Sequence, residues 1–204
     1  MSTAALAPAR RRALRAFVAA GLCAAGARPR SAQAAAAGDT PQVSRPKLGP
    51  LPVVMLTTMQ GQPRTLDGEL ASELPLVLNF VFTTCSSSCS VQTAMLAETQ
   101  RGFVARGHKL RLASITIDPD NDTPEQLRLF ASQFRIGEGW QFYTGRFDDL
   151  LRVQKHFDVY RGSKASHPPV LLLRRHARAP WVRVEGFPAP AELAVLIESL
   201  PAAA

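Results

Sequence analysis

The sequence predicts an α/β domain, a mixed sheet with helices on both faces, and three observations carry that expectation. Residues 75–82 form an apolar run of strand length, rich in branched and aromatic side chains, which reads as a strand buried on both faces. A second such run, residues 110–117, follows about one helix later and is stopped by Asp118 and Pro119. Between and after these runs the hydrophobic period lengthens to that of a helix, and two further strands close the chain as a hairpin before a last helix.

Taken in order, residues 35–48 are rich in Ala, then in Pro and Ser, without periodicity, and read as a flexible linker. Residues 51–56 read as an extended segment, and Gly61 and Pro63 as a turn. After the first core strand, a helix carrying Cys85 and Cys89 at its start runs to near Gly107. Val91, Met95 and Phe103 mark its apolar side, and Gln92, Glu98, Gln100 and Arg101 are among its polar positions. Thr123, Pro124 and Gln126 open the next helix as hydroxyl cap, first-turn proline and the amide three residues after the cap. It is expected to reach Phe134, with Leu127 and Phe130 inward. Residues 137–143 read as a loop with Trp140 and Phe142, or as a short strand. Residues 147–157 read as a helix with Leu150, Leu151, Val153 and Phe157 in the core. Residues 170–173 and 181–184 are the hairpin strands, and 190–200 the closing helix. This order is thioredoxin-like over residues 49–201. It places the cysteine turn at the carboxyl end of the first core strand, where open α/β sheets hold their sites.

The formal charge of +8 belongs largely to the first 34 residues. Six of the 24 basic residues and no acidic residue lie there, leaving 18 basic against 16 acidic groups in the remainder. No basic stripe remains to bind nucleic acid. Arg10, Arg11, Arg12 and Arg15 precede a 12-residue apolar stretch (16–27), and Ala32 and Ala34 stand at the −3 and −1 positions of a cleavage site. Residues 1–34 therefore read as an export signal. The stretch is shorter than the roughly 20 residues of a bilayer span, so no permanent membrane span is expected.

Export puts Cys85 and Cys89 in an oxidising compartment, where a structural disulfide, a redox pair and a soft-metal site are all open. Two positions four apart on a helix face one side. The unpaired amides at a helix start favour thiolate over thiol. Three intervening residues, rather than the two of thioredoxin-type redox motifs, leave room for an ion between the sulfurs. Among the four histidines, His108, His156 and His176 read as ordinary loop or helix residues. His167 immediately precedes the strand at 170–173, and in this fold that loop lies against the cysteine turn. Two thiolates and an imidazole suit Cu(I), hold Cu(II) with some distortion and leave Zn(II) one ligand short. Asp118, Asp120 and Asp122 lack the glycine and distal Glu of a calcium loop and read as a turn whose side chains cap backbone groups.

These pieces together resemble the Sco/SenC family of copper-binding, thioredoxin-like factors for assembly of cytochrome oxidase. They are Asn79 to Cys89, Ser114 to Pro119 with Asp122, Thr123 and Pro124, then Gly139 with Trp140, Thr144 with Gly145, and the His167 loop. The resemblance covers residues 51–200. It implies one copper per chain, Cu(I) or Cu(II), held by Cys85, Cys89 and His167. It also implies delivery of copper to the binuclear centre of cytochrome c oxidase subunit II or another exported cuproprotein, or reduction of the cysteines there, in the periplasm. Copper loading would require Cys85 and Cys89 as a dithiol, in exchange with their disulfide. Ser90 departs from the family, which usually has proline there. The alternative from another class is a thiol-disulfide oxidoreductase that uses the same cysteines without copper.

Overall fold

All six residues of strand β4 (Leu76–Val81) are buried, and the other strands are laid out from it. The computed structural model describes residues 40–85 and 88–202. The export signal expected over 1–34 lies outside these. The strands are β1 (Gln42–Ser44), β2 (Met55–Thr58), β3 (Pro63–Thr65), β4, β5 (Arg111–Thr116), β6 (Trp140–Gly145), β7 (Val170–Arg174) and β8 (Val182–Glu185). The helices are α1 (Leu66–Leu70), α2 (Ser88–Ala105), α3 (Pro124–Ser132), α4 (Phe147–His156) and α5 (Pro190–Glu198). They surround one eight-stranded sheet of order β1-β8-β7-β4-β5-β6-β2-β3. β4, β5 and β6 are parallel; the remaining pairings are antiparallel. This is the expected thioredoxin-like mixed sheet.

Alternation along β4 divides the core. Val77 and Val81 face α2, α3 and α5, with Met95, Leu96, Phe103, Leu127, Phe130, Leu193 and Ile197. Leu76, Leu78 and Phe80 face α1 and α4, with Leu66, Leu70, Leu150, Val153 and Phe157. Each large side chain so buried contributes about 1.5–3 kcal/mol. Under α2 a polar chain crosses the sheet. Trp140 Nε1 donates to Ser114 Oγ at 2.9 Å, Ser114 Oγ to Asn79 Oδ1 at 2.7 Å, and Asn79 Nδ2 to Gln92 Oε1 at 3.1 Å.

That chain explains one departure from expectation. Val91 is 56% exposed, whereas Gln92 and Gln100 are buried. Gln100 bonds the backbone of Gly137 and Glu138 at 2.8 and 2.9 Å, so its amide is inside because partners await it, whereas Gln92 is paired through Oε1 only. Of the loop or short strand expected over 137–143, the strand is what forms, and it extends over 140–145 beside β5. The flexible linker expected over 35–48 is also corrected in part. Gln42–Ser44 pairs with β8 although its side chains are exposed. Backbone hydrogen bonds alone hold it, and these leave no hydrophobic signature. α1 was not anticipated; Thr65 caps it by accepting from the Gly68 amide at 3.3 Å. The Thr123 cap of α3, with Pro124 in its first turn, is as expected.

Candidate metal centre

The two cysteines lie at the junction of β4 and α2, and both are thiols. The Cys85 amide donates to the Phe82 carbonyl at 3.1 Å, which folds the chain back on the strand end. Cys85 Sγ then receives the Cys89 amide at 3.4 Å and lies 3.6 Å from Ser88 Oγ. A sulfur thus takes the place of the oxygen that usually satisfies a first-turn amide. Cys89, the second residue of α2, turns into the core and is 3% exposed.

Burial has a chemical consequence that the helix position alone did not foretell. It pushes the Cys89 thiol up to about 12, reinforced by the neighbouring Cys85 and opposed by the Phe82 backbone and Ser88. The helix start directs an amide at Cys85. At Cys89 desolvation outweighs the helix end, so the expected thiolate preference does not extend to the second sulfur.

The turn is anchored from a distance. Asp122, fully buried, accepts the Thr83 amide at 3.1 Å and the hydroxyls of Thr83 and Thr116. Burial raises its carboxyl above the ordinary range, against the pull of those hydroxyls and the amide. Asp118 accepts the Lys164 ammonium and the Asn121 amide, while Asp120 is exposed. The three aspartates do not converge on a common point, and the expected capping is met only by Asp122, whose backbone partner is the distant Thr83 amide. Nothing local in the sequence marks Asp122 or Lys164 as neighbours of the cysteine turn.

His167 follows the 3-10 turn Lys164–Ser166 and precedes β7. Its loop does approach the cysteine turn, because Lys164 Nζ sits 5.8 Å over the Phe82 ring. The imidazole itself points elsewhere. It stands edge-on to Phe80 at 6.3 Å, on the α4 side of the sheet, beside a cavity of about 200 Å³ lined by Phe147, Leu151 and Tyr160 among others. The thiols belong to the core on the α2 side. Accordingly, among the described residues no three His, Cys, Asp or Glu side chains come together as a metal-binding group. The structure joins Cys85 with Cys89 and leaves His167 apart.

Two features nevertheless fit a metal-binding role for this histidine. Both ring nitrogens are buried and neither makes a hydrogen bond of normal geometry, a costly state for a polar ring. Burial also lowers its basicity, against the nearby backbone of Phe80 and Val159, and keeps it in the neutral form that donates to metals. Of the other histidines, His156 shares one of these features, a buried Nε2 without a partner, and burial lowers its basicity too. His108 is exposed beside Phe103, and His176 is bonded to the Ala202 carbonyl at 2.7 Å and the Arg178 amide at 3.3 Å. His156 is half-buried at the end of α4.

With fold and turn in hand, comparison with known proteins decides the lineage. The SCO1/SenC family model matches residues 55–173, more than half of the chain and all of the strands from β2 through β6. The chain belongs to the SCO1/SenC family. A SCO1 protein homolog of Bacillus subtilis is 35% identical over 68 residues, covering 33% of this chain and 35% of that relative. A protein of Stutzerimonas stutzeri carrying a copper-binding name is 30% identical over 130 residues, covering 54% of this chain and 61% of the relative. The chain thus spans between a third and two thirds of the lengths of these curated relatives. Yeast Sco1 with copper bound superposes with a TM-score of 0.64 at 22% identity, over 78% of this chain and 92% of that one. At that identity the likeness speaks for the fold, and the SCO1/SenC assignment rests on the sequence match.

Proposed function

We propose that this SCO1/SenC protein is a periplasmic copper metallochaperone and thiol-disulfide assembly factor. Its cargo is one copper ion, Cu(I) or Cu(II), and its target the binuclear copper centre of cytochrome c oxidase subunit II or another exported cuproprotein. The observation that carries the reading is the pair of adjacent thiols at the strand-to-helix turn of a chain in this family. Cys85 and Cys89 supply two soft donors, and His167 a neutral imidazole whose nitrogens lack partners. The donor chemistry fits copper, and binding requires the His167 loop to carry its ring from Phe80 to the sulfurs on the α2 side of the sheet. Such a move restores a partner to a buried nitrogen. A titrated cargo has to be captured and then released, and a ligand set assembled from two separate halves suits both.

His167→Ala tests this. The variant is expected to fold normally and keep thiol exchange with a small disulfide. It should lose Cu(II) retention by about a hundredfold or more, since each tenfold corresponds to about 1.4 kcal/mol. Copper binding equal to the parent in both oxidation states removes His167 from the ligand set. Binding of no copper by the reduced parent protein leaves the oxidoreductase alternative.

A further inference from the structure

Two side chains of one turn reach the two separated halves of the site. The turn runs from Asp118 to Asp122, between β5 and α3, and is braced by the Asp122 amide donating to the Asp118 carbonyl at 2.9 Å. Asp122 holds Thr83, two residues ahead of Cys85, by its amide and its hydroxyl. Asp118 holds Lys164, three residues ahead of His167. These contacts link residues 39 and 46 apart in sequence, so neither belongs to local chain folding.

Neither carboxylate is serving its own helix. Thr123 already caps α3, accepting the Gln126 amide at 3.3 Å. Asp122 is a particular choice for its position. A carboxylate has only acceptors and two oxygens to offer, and it meets three donors: the Thr83 amide, the Thr83 hydroxyl and the Thr116 hydroxyl. An asparagine would turn an amide group toward at least one of those donors. Hydrogen bonds to a buried carboxylate are also of the strong class, and they resist displacement of the turn they hold.

We propose that residues 118–122 are the spacer of the site. Asp122 sets the position of the cysteine turn through Thr83, Asp118 sets the position of the histidine loop through Lys164, and one rigid turn thereby fixes the gap that copper capture closes. Asp122 and Asp118 are positioning residues and touch neither sulfur nor imidazole. The proposal rests on Cys85, Cys89 and His167 being the working residues, and its test uses metal-free protein so that it stands or falls apart from copper binding.

Two readouts are followed in the full chain. One is the equilibrium with glutathione, in which the protein dithiol gives two electrons to oxidised glutathione and each protein disulfide formed yields two glutathione thiols. The other is the NMR line of the His167 ring proton. Asp122→Asn is expected to shift the equilibrium toward disulfide by about fivefold or more, the worth of one net hydrogen bond, while the His167 line stays in place. Lys164→Met should move or broaden the His167 line and change the thiol equilibrium by less than about twofold, and Lys164→Arg should restore the parent line. A general loss of packing would move both readouts in both variants, and that result overturns the proposal. So does either variant leaving its own readout unchanged. If Asp122→Asn does not fold, Thr83→Val, which deletes only the hydroxyl contact, carries the same expectation and the same refutation.

Discussion

Copper capture by this protein is predicted to be strongly proton-coupled, and Cys89 is the reason. Burial holds its thiol at about 12, against 9.0 for an ordinary cysteine. That difference is about a thousandfold less thiolate at neutral pH, or roughly 4 kcal/mol. A metal that binds the sulfur displaces the proton, so affinity rises about tenfold per pH unit for each thiol still protonated. Competition between the reduced protein and a chromophoric Cu(I) chelator at pH 6, 7 and 8 measures this directly. Cys89 alone accounts for a rise of about a hundredfold from pH 6 to pH 8. A rise of less than tenfold refutes the reasoning, because Cys89 would then be either ionised already or not a ligand. The same burial has a signature without metal. The folded thiol titrates above the unfolded one, so its contribution to stability is complete below about pH 9 and is lost between about pH 9 and 12. At pH 10 the loss is about 1.4 kcal/mol. Urea unfolding of the parent and of Cys89→Ala at pH 7 and pH 10 isolates it, and a difference independent of pH contradicts the burial argument.

Two further predictions concern the frame around the turn. Trp140→Phe keeps the ring stacked on Phe142 but removes the donor to Ser114. It should cost about 1 kcal/mol in urea unfolding, with copper binding unchanged. Gly139 sits at φ +82, and a Cβ there would meet the Leu110 carbonyl at 3.1 Å. Gly139→Ala should therefore lower stability by about 1–2 kcal/mol in thermal melting, and an unchanged melting temperature would show that the loop before β6 yields.

The sheet was legible because β4, β5 and β7 are buried almost throughout and announce themselves as apolar runs. Caps written in side chains were equally legible, as at Thr123 and Pro124. What escaped was structure held by backbone or by distant polar partners. β1 is entirely exposed, and the buried face of α2 carries Gln92, Thr93, Thr99 and Gln100, which no hydrophobic period selects. The site divided in the same way. The spacing of Cys85 and Cys89 gave their neighbourhood but not its cause: Cys85 precedes α2, and the turn after β4, rather than a helical repeat, brings its sulfur to the Cys89 amide. The orientation of His167 depends on which side of the sheet its ring enters, and that is settled by packing on Phe80. Asp122 and Lys164 act across 39 and 46 residues, beyond the reach of any local pattern.

The two edges of the sheet have a consequence for how other proteins can approach. Both edge strands, β1 and β3, are three residues long with outward-facing side chains, and β3 begins with Pro63, which has no amide to offer. Short, polar or proline-bearing edges discourage strand addition. A visiting protein is thus denied the generic handshake of backbone against backbone. What remains to it is side-chain contact, and the two thiols lie buried beneath the surface it would meet. Selectivity of contact is in this way built into the margins of the fold as well as into its reactive turn.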